Sequence, residues 1–393
     1  MPKNILILGG GTGGVVAALS LAEAKEKFGL DYEITLVNKT EWHYMPPLWM
    51  DVALGTAKIE ETRAPIRGLE KYGVKVVVGE AVNIDPGNRA VSLADGTTLG
   101  YDYLFVVLGL RNGWEAIPGY AEEGYHNYSP EGALEFNNAL KQFKGGKVVI
   151  TVPEVPFRCG IYPMEFATVL AYKLSSKGIK PEITLMSPRM PNGVDITYAL
   201  GPDIKRLWDK YFNMYGIKVR THDGIEKIDG QRKVVVTKNY EEPYDLLIKV
   251  PPPRSPKVLE ENPEFQKDPT GRFIVAKPLD FRHPKYDDIF LTGEHSMPPT
   301  GLGTAGVFIH AASYRATQIL LSDEYGVGSP GPIPPVACVA YVADKGFLGV
   351  CEVTFDGQTH MWSGPRCYNV VESYLMKMVK HAFYQGWLDR LRL

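Results

Sequence analysis

An α/β protein with two doubly wound parallel sheets and a separate C-terminal segment is what this sequence predicts, on three observations. A hydrophobic run at 4–8 passes directly into Gly9-Gly10-Gly11-Thr12-Gly13-Gly14. An alanine-rich helix to about residue 27 and a strand at 33–37 then complete a βαβ unit. A second unit of the same kind starts at 147–152, continues in a helix at 163–177 and returns at 182–186. Finally, the Gly/Pro-rich stretch 326–335 reads as a linker into something distinct.

The remaining elements fill in that plan. Strand signals fall at 75–78, 90–93 and 103–108, then at 234–237 and 246–250, where Pro251-Pro252-Pro253 marks a crossing between domains. A short buried strand at 289–292 and a helix at 303–321 follow. The expected division is a discontinuous Rossmann-like first domain, 1–110 with 263–325, a second Rossmann-like domain, 111–262, and a C-terminal segment, 326–393. From residue 370 the chain reads as helix. Val371, Tyr374, Leu375, Met378 and Ala382 fall on one face, and Lys377 and Lys380 lie elsewhere. Phe383, Trp387 and Leu391 lie on a different face, which a bend near Gly386 or two short helices would reconcile.

Composition excludes several classes. With 45% hydrophobic and 22% charged residues the chain reads as an ordinary globular protein, and a formal net charge of -2 gives no basis for nucleic-acid binding. Four cysteines in 393 residues are too few for a disulfide scaffold. No secretory signal precedes the first strand and no 18 apolar residues run together, so a cytoplasmic protein, or one on the cytoplasmic side of the cell membrane, is expected. His43, His222 and His310 have no metal-ligand spacing, and no metal is expected.

The glycine loop carries the first chemistry. Gly9, Gly11 and Gly14 match G-x-G-x-x-G between a strand and a helix. Gly9 permits the tight turn, Gly11 lets a pyrophosphate approach the backbone, and Gly14 lets helix and strand pack closely. Phosphates then sit on the unpaired N–H groups of the helix start. The second strand ends in Asn38 and Lys39, where an acidic residue commonly meets the ribose. After 147–152 a nicotinamide-dependent flavoenzyme would carry a second glycine loop. This chain has Pro153-Glu154-Val155-Pro156-Phe157-Arg158-Cys159 instead. One loop without the second points to FAD, not NAD(P)H. Cys159, beside Arg158 and just before a helix, is expected to favour thiolate.

From these residues a family resemblance emerges. Val152 to Cys159 resembles the active-site cysteine segment of sulfide:quinone oxidoreductases and of flavocytochrome c sulfide dehydrogenases. Ala337-Cys338-Val339-Ala340 resembles the segment that carries the partner cysteine. Tyr101-Asp102-Tyr103-Leu104 with Gly109 resembles the strand before the crossover, and Pro46-Pro47 the loop passing the flavin. The resemblance implies FAD contacts at Gly9, Gly11, Gly13, Gly14, Asn38, Lys39, Pro46, Val82, Gly109, Gly293, Glu294, Thr300 and Gly301. It implies a redox disulfide, Cys159–Cys338, attacked by sulfide. A thiolate, assigned to Cys338, then passes two electrons to the flavin, and persulfide sulfur stays on the partner. It implies a C-terminal helical segment bound to the membrane, with Phe347, Tyr374 and Phe383 walling the quinone's path.

Three positions depart from that pattern. No cysteine stands in His126-Asn127-Tyr128-Ser129, Glu294 replaces the usual Asp, and Pro299 replaces a lysine before Thr300-Gly301. Cys351 and Cys367 read as structural, and Glu165 as a residue serving the helix dipole or solvent. The rival readings are a sulfide dehydrogenase subunit with a cytochrome acceptor, a type II NADH:quinone oxidoreductase, and a non-catalytic FAD-fold interaction subunit. Homo-oligomerisation is left open.

Overall fold

The computed structural model describes residues 2–190, 195–198, 200–296, 306–332, 335–356 and 361–392. Its first sheet has the strand order Ile289–Leu291, Tyr103–Val106, Lys3–Leu8, Tyr32–Asn38, Val74–Val78, with every pair parallel. Lys3–Leu8 takes the centre because Ile5, Leu6, Ile7 and Leu8 are all buried, as a parallel strand covered on both faces requires. The helix Thr12–Phe28 lies against Gly306–Tyr325, where Gly13 packs beside Ile309 and Ser313.

The second sheet repeats the design in the order Lys218–His222, Glu182–Pro188, Lys147–Thr151, Leu246–Lys249, again all parallel. The chain segments that connect the two sheets, Arg111–Asn112 and Pro253–Arg254, pair antiparallel side by side. Each parallel sheet is accompanied by a three-stranded antiparallel meander, one of them containing Val234–Thr237.

The C-terminal segment departs most from expectation. It is first a three-stranded antiparallel sheet, Val336–Val342, Lys345–Asp356 and Met361–Ser373, and only then a helix, Tyr374–Arg392. Residues 370–373 are strand because the β-branched Val371 pairs across to Leu348, and Glu372 to Phe347. The helix begins where Ser373 Oγ accepts the N–H of Met376 at 3.2 Å, the contact of an N-cap. It runs unbroken through Gly386, so neither a bend nor two helices is needed.

Its two apolar faces look in different directions. Tyr374, Leu375, Met378 and Phe383 are exposed, whereas Lys380, Leu388 and Leu391 are buried. The buried side grips the first domain. Tyr72 Oη donates to Arg390 O at 3.2 Å, and Arg392 donates to Glu61 O at 3.0 Å and Arg63 O at 3.2 Å. Among the described residues no helix is long and apolar enough to cross a membrane, and no cluster of His, Cys, Asp and Glu could hold a metal.

Candidate active site

The glycine loop is built of bare backbone. A Cβ on Gly14 would lie 1.8 Å from Gly9 O, and one on Gly9, at φ +105°, 2.4 Å from Val107 O. Around Gly11 there is nothing within 4 Å of such a carbon. An open backbone cradle at the N-terminus of a 17-residue helix is what a pyrophosphate needs. Gly109, at φ +72°, is open in the same way, and Gly293 abuts it, a Cβ there falling 3.2 Å from Gly109 N. The residues present therefore fit a dinucleotide.

Asn38 braces this loop. Its Oδ1 accepts the Gly10 N–H at 2.9 Å, and its Nδ2 donates to Thr40 O at 2.8 Å and Trp42 O at 3.1 Å. Lys39 points outward to an exposed ion pair with Glu80 at 2.8 Å. Val82 and Pro46 are exposed. His43 is fully buried and supports the loop from the other side. Trp387 Nε1–H donates to its Nε2 at 2.9 Å, so the proton on Nδ1 goes to Gly10 O at 2.8 Å. Burial lowers its pKa to about 4, consistent with this neutral form. Thr300 and Gly301, with Pro299, lie outside the described residues.

The turn after Lys147–Thr151 is filled with side chains. Phe157 is fully buried, and Glu154 is held by Arg254 and, at 3.1 Å, by Arg272. Cys159 follows at φ +62°, a left-handed backbone rarely adopted by a non-glycine residue, at the entrance to the helix Tyr162–Ser176. Arg158 does not serve the thiol. It donates to Leu110 O at 2.6 Å and Asn112 Oδ1 at 3.1 Å, and pairs with Glu294 at 3.5 Å. Glu294 thus spans from the cofactor side to the cysteine turn. Burial raises the pKa of its carboxyl and Arg158 partly offsets that.

The expectation of a Cys159 thiolate is overturned. Burial, reinforced by the Glu165 carboxylate, raises its pKa to about 12. The N–H groups of Ile161 and Tyr162 and the Lys380 ammonium pull the other way without prevailing. Cys338, on Val336–Val342, is likewise raised to about 12 by burial, then by Cys159 and Glu165, with Lys380 again opposing. Both are free thiols here. Two segments far apart in sequence thus bring their cysteines into mutual electrostatic reach beside one carboxylate and one ammonium.

That carboxylate and ammonium form a buried pair. Glu165, 4% exposed, pairs with Lys380, 2% exposed, and accepts the N–H of Tyr341 at 2.7 Å. Lys380 Nζ also lies 3.7 Å from the Tyr341 ring centroid, and Tyr341 Oη donates to Asp51 at 3.2 Å. Glu165 therefore does not answer solvent; it stays in the first turn of its helix, where the dipole favours a carboxylate, and is paired with Lys380. Its partner was hidden on the C-terminal helix, although Lys380, Tyr384, Trp387, Leu388 and Leu391 keep helical spacing and show a lysine inside an apolar stripe.

Other expected positions separate. Phe347 is fully buried with its ring edge-on to Trp208 at 5.4 Å, so it is core and not a wall open to a lipid-soluble substrate. Tyr374 and Phe383 are exposed. The segment 126–129 packs at Cys159 without a cysteine of its own, the Tyr128 ring 5.1 Å from that of Tyr162. Cys351 and Cys367 are bonded to each other as a disulfide and buried.

Comparison with known proteins matches residues 3–294 to the pyridine nucleotide-disulphide oxidoreductase family. The chain belongs to that family. Its dinucleotide is FAD, and it is an FAD-dependent oxidoreductase. Among relatives, it is 27% identical over 314 residues to a mitochondrial sulfide:quinone oxidoreductase of Dictyostelium discoideum, covering 77% of this chain and 68% of that one. It is 23% identical over 361 residues to the sulfide-quinone reductase of Aquifex aeolicus, covering 88% and 82%. The solved structure of the Aquifex aeolicus sulfide:quinone oxidoreductase superposes with a TM-score of 0.84 at 21% identity, covering 99% of this chain and 91% of that one.

Proposed function

We propose that this chain oxidises sulfide and delivers the electrons to a membrane quinone, with Cys159 and Cys338 as the sulfur-handling pair. The observation that carries this reading is the convergence of those two thiols beside the buried Glu165–Lys380 pair. The relatives named as sulfide:quinone oxidoreductases support it. FAD, held by the glycine loop, Gly109 and Gly293, supplies the two-electron carrier between sulfur and quinone.

The chain's own part is sulfur exchange and charge control. Hydrosulfide attacks the Cys159–Cys338 disulfide of the oxidised enzyme. That S–S bond breaks, a persulfide forms on one cysteine, and the other leaves as thiolate. Lys380 is the group that stabilises the developing thiolate, since it lowers the pKa of both sulfurs. Glu165 holds Lys380 in place and opposes premature ionisation. In Cys159→Ala, sulfide-dependent quinone reduction should fall by about 100-fold or more while the flavin absorption stays. Unchanged turnover would refute the assignment.

The C-terminal helix provides the route to the membrane in this reading. Val371, Tyr374, Leu375, Met378 and Phe383 are exposed, and Lys173, Lys177 and Lys377 stand close enough together for their charges to interact. An apolar face edged by lysines suits an anionic bilayer surface. Replacing Leu375 and Met378 together by Asp should abolish flotation with anionic vesicles and leave sulfide bleaching of the flavin intact. Retained flotation would place the membrane contact elsewhere. The NADH-linked alternative shares the fold and such a tail, but Phe157 and Glu154 occupy the turn a nicotinamide dinucleotide would use.

A further inference from the structure

The disulfide Cys351–Cys367 is left over from that scheme, and its place in the C-terminal sheet is specific. Cys338 pairs with Gly349, and two residues further along Cys351 pairs with Val336 on one side and Cys367 on the other. Side chains alternate along strands, so Cys338, Gly349 and the Cys351–Cys367 bond share one face. On the middle strand the residue paired with Cys338, next to Cys351 on that face, is a glycine, Gly349. A Cβ on Gly349 would lie 3.7 Å from Cys367 Cβ, with Val370 Cγ2 at 3.6 Å and Ile204 Cδ1 at 3.8 Å. Diagonal neighbours on one antiparallel face have Cβ atoms about 7 Å apart, and the Cys351–Cys367 bond runs from Cys351 toward the strand on the far side from Cys338, so an approach from Cys338 meets Cys351 opposite its bonded sulfur. Cys351 and Cys367 are 2% and 1% exposed, whereas Cys338 is only half-buried.

We propose that Cys351–Cys367 is a second redox-active disulfide, exchanging with the active-site pair through Cys338. The proposal rests on the reading of Cys159 and Cys338 as a redox pair, but not on sulfide or quinone. The Cys338 thiolate attacks Cys351 Sγ. The Cys338–Cys351 bond forms as the Cys351–Cys367 bond breaks, and the electron pair leaves on Cys367, which takes up the proton Cys338 released. The Cys159 thiolate then attacks Cys338 Sγ, forming Cys159–Cys338 and releasing Cys351 as a thiol. The active-site dithiol loses two electrons and two protons, and the C-terminal disulfide gains them. No outside oxidant enters. The four cysteines therefore share one disulfide, a two-electron oxidation, which here resides on Cys351–Cys367 while Cys159 and Cys338 are thiols.

The test uses the full FAD-loaded protein and a phosphine reductant, with alkylation of each cysteine followed by mass spectrometry. Cys351 and Cys367 should become alkylatable about tenfold more slowly in Cys338→Ser than in the wild type, because their only route to reductant is gone. Gly349→Ala keeps all four cysteines, meets only ordinary contacts, and should slow the same step by interposing a methyl group. In Cys367→Ser, mild oxidation should link Cys338 to Cys351. Equal labelling rates in wild type, Cys338→Ser and Gly349→Ala, or no Cys338–Cys351 crosslink, would overturn the proposal. Sulfide is absent throughout, so this failure is distinguishable from loss of the sulfide activity, which Cys159→Ala tests separately.

Discussion

The two parallel sheets each send their Lys3–Leu8 or Lys147–Thr151 strand into a turn and then a helix, yet the two turns are opposites. The first is backbone only: Gly9 and Gly14 touch where any side chain would collide, and Gly11 faces open space. The second is crowded, with Phe157 sealed into the core, Glu154 clamped by two arginines, and Cys159 held in a left-handed conformation. One topology thus serves two chemistries. An empty turn exposes N–H groups to phosphate, and a filled turn excludes a dinucleotide and fixes a sulfur. In the proposed function, the difference between the cofactor turn and the sulfur-handling turn lies in what each is made of, not in where it sits.

The most damaging way to break that contrast is to fill the empty turn. Gly14→Val would drive a side chain into Gly9 O, which is backbone and cannot swing aside. The expected result is protein without flavin absorbance, poorly folded, and a yellow, well-folded variant would contradict the cradle. Next in size is the charge pair behind the filled turn. Lys380→Met leaves Glu165 buried without its ammonium, and Glu165→Gln leaves Lys380 without its carboxylate. Each should cost about 3–5 kcal/mol in chemical denaturation, most of it recovered in the double variant. The thiols discriminate charge from packing. Cys159 and Cys338 should ionise at lower pH in Glu165→Gln and at higher pH in Lys380→Met, read from alkylation rate against pH. Identical profiles in both variants would reduce the pair to a structural role.

The empty turn was far more legible in sequence than the filled one. Glycine at fixed spacing after a buried strand has one strong physical meaning, so Gly9, Gly11 and Gly14 disclosed their purpose directly. Cys159 stood out by its place before a helix, but Cys338 and its pairing with Cys159 were legible only through family resemblance, since no spacing within the chain says that two distant segments meet. Lys380 was passed over because a lysine on a helix reads as surface until its partner is known, and Glu165 lies on a different element. The sheet formed by Val336–Val342, Lys345–Asp356 and Met361–Ser373 escaped because its strands are stabilised by mutual pairing, a tertiary effect that local helical periodicity near residue 370 concealed. Asn38 shows a subtler limit. Its position was readable, but whether its amide faces a ribose or braces Gly10 depends on a loop geometry that sequence does not contain.

The finest test concerns the link between the empty turn and the C-terminal helix that also carries Lys380. His43 joins Gly10 to Trp387 only while its ring is neutral, because Nε2 must accept from the indole. Its pKa is 6.5 in the unfolded chain and about 4 in the folded protein, so the folded state resists the second proton. The sign follows: stability is undiminished above pH 6.5, falls as the unfolded state gains a proton that the folded one refuses, and reaches its full loss below pH 4. A shift of that size corresponds to at most about 3 kcal/mol. His295 and His126 are depressed as well, so the useful quantity is a difference between proteins. His43→Gln, which keeps an acceptor and a donor, should show a stability curve flatter than the wild type by that amount between pH 6.5 and 4. If both proteins lose stability in parallel, the turn and the helix are not coupled through this ring. If only the wild type releases flavin and shifts Trp387 fluorescence together on acidification, one protonation has loosened the cofactor turn and the helix at once.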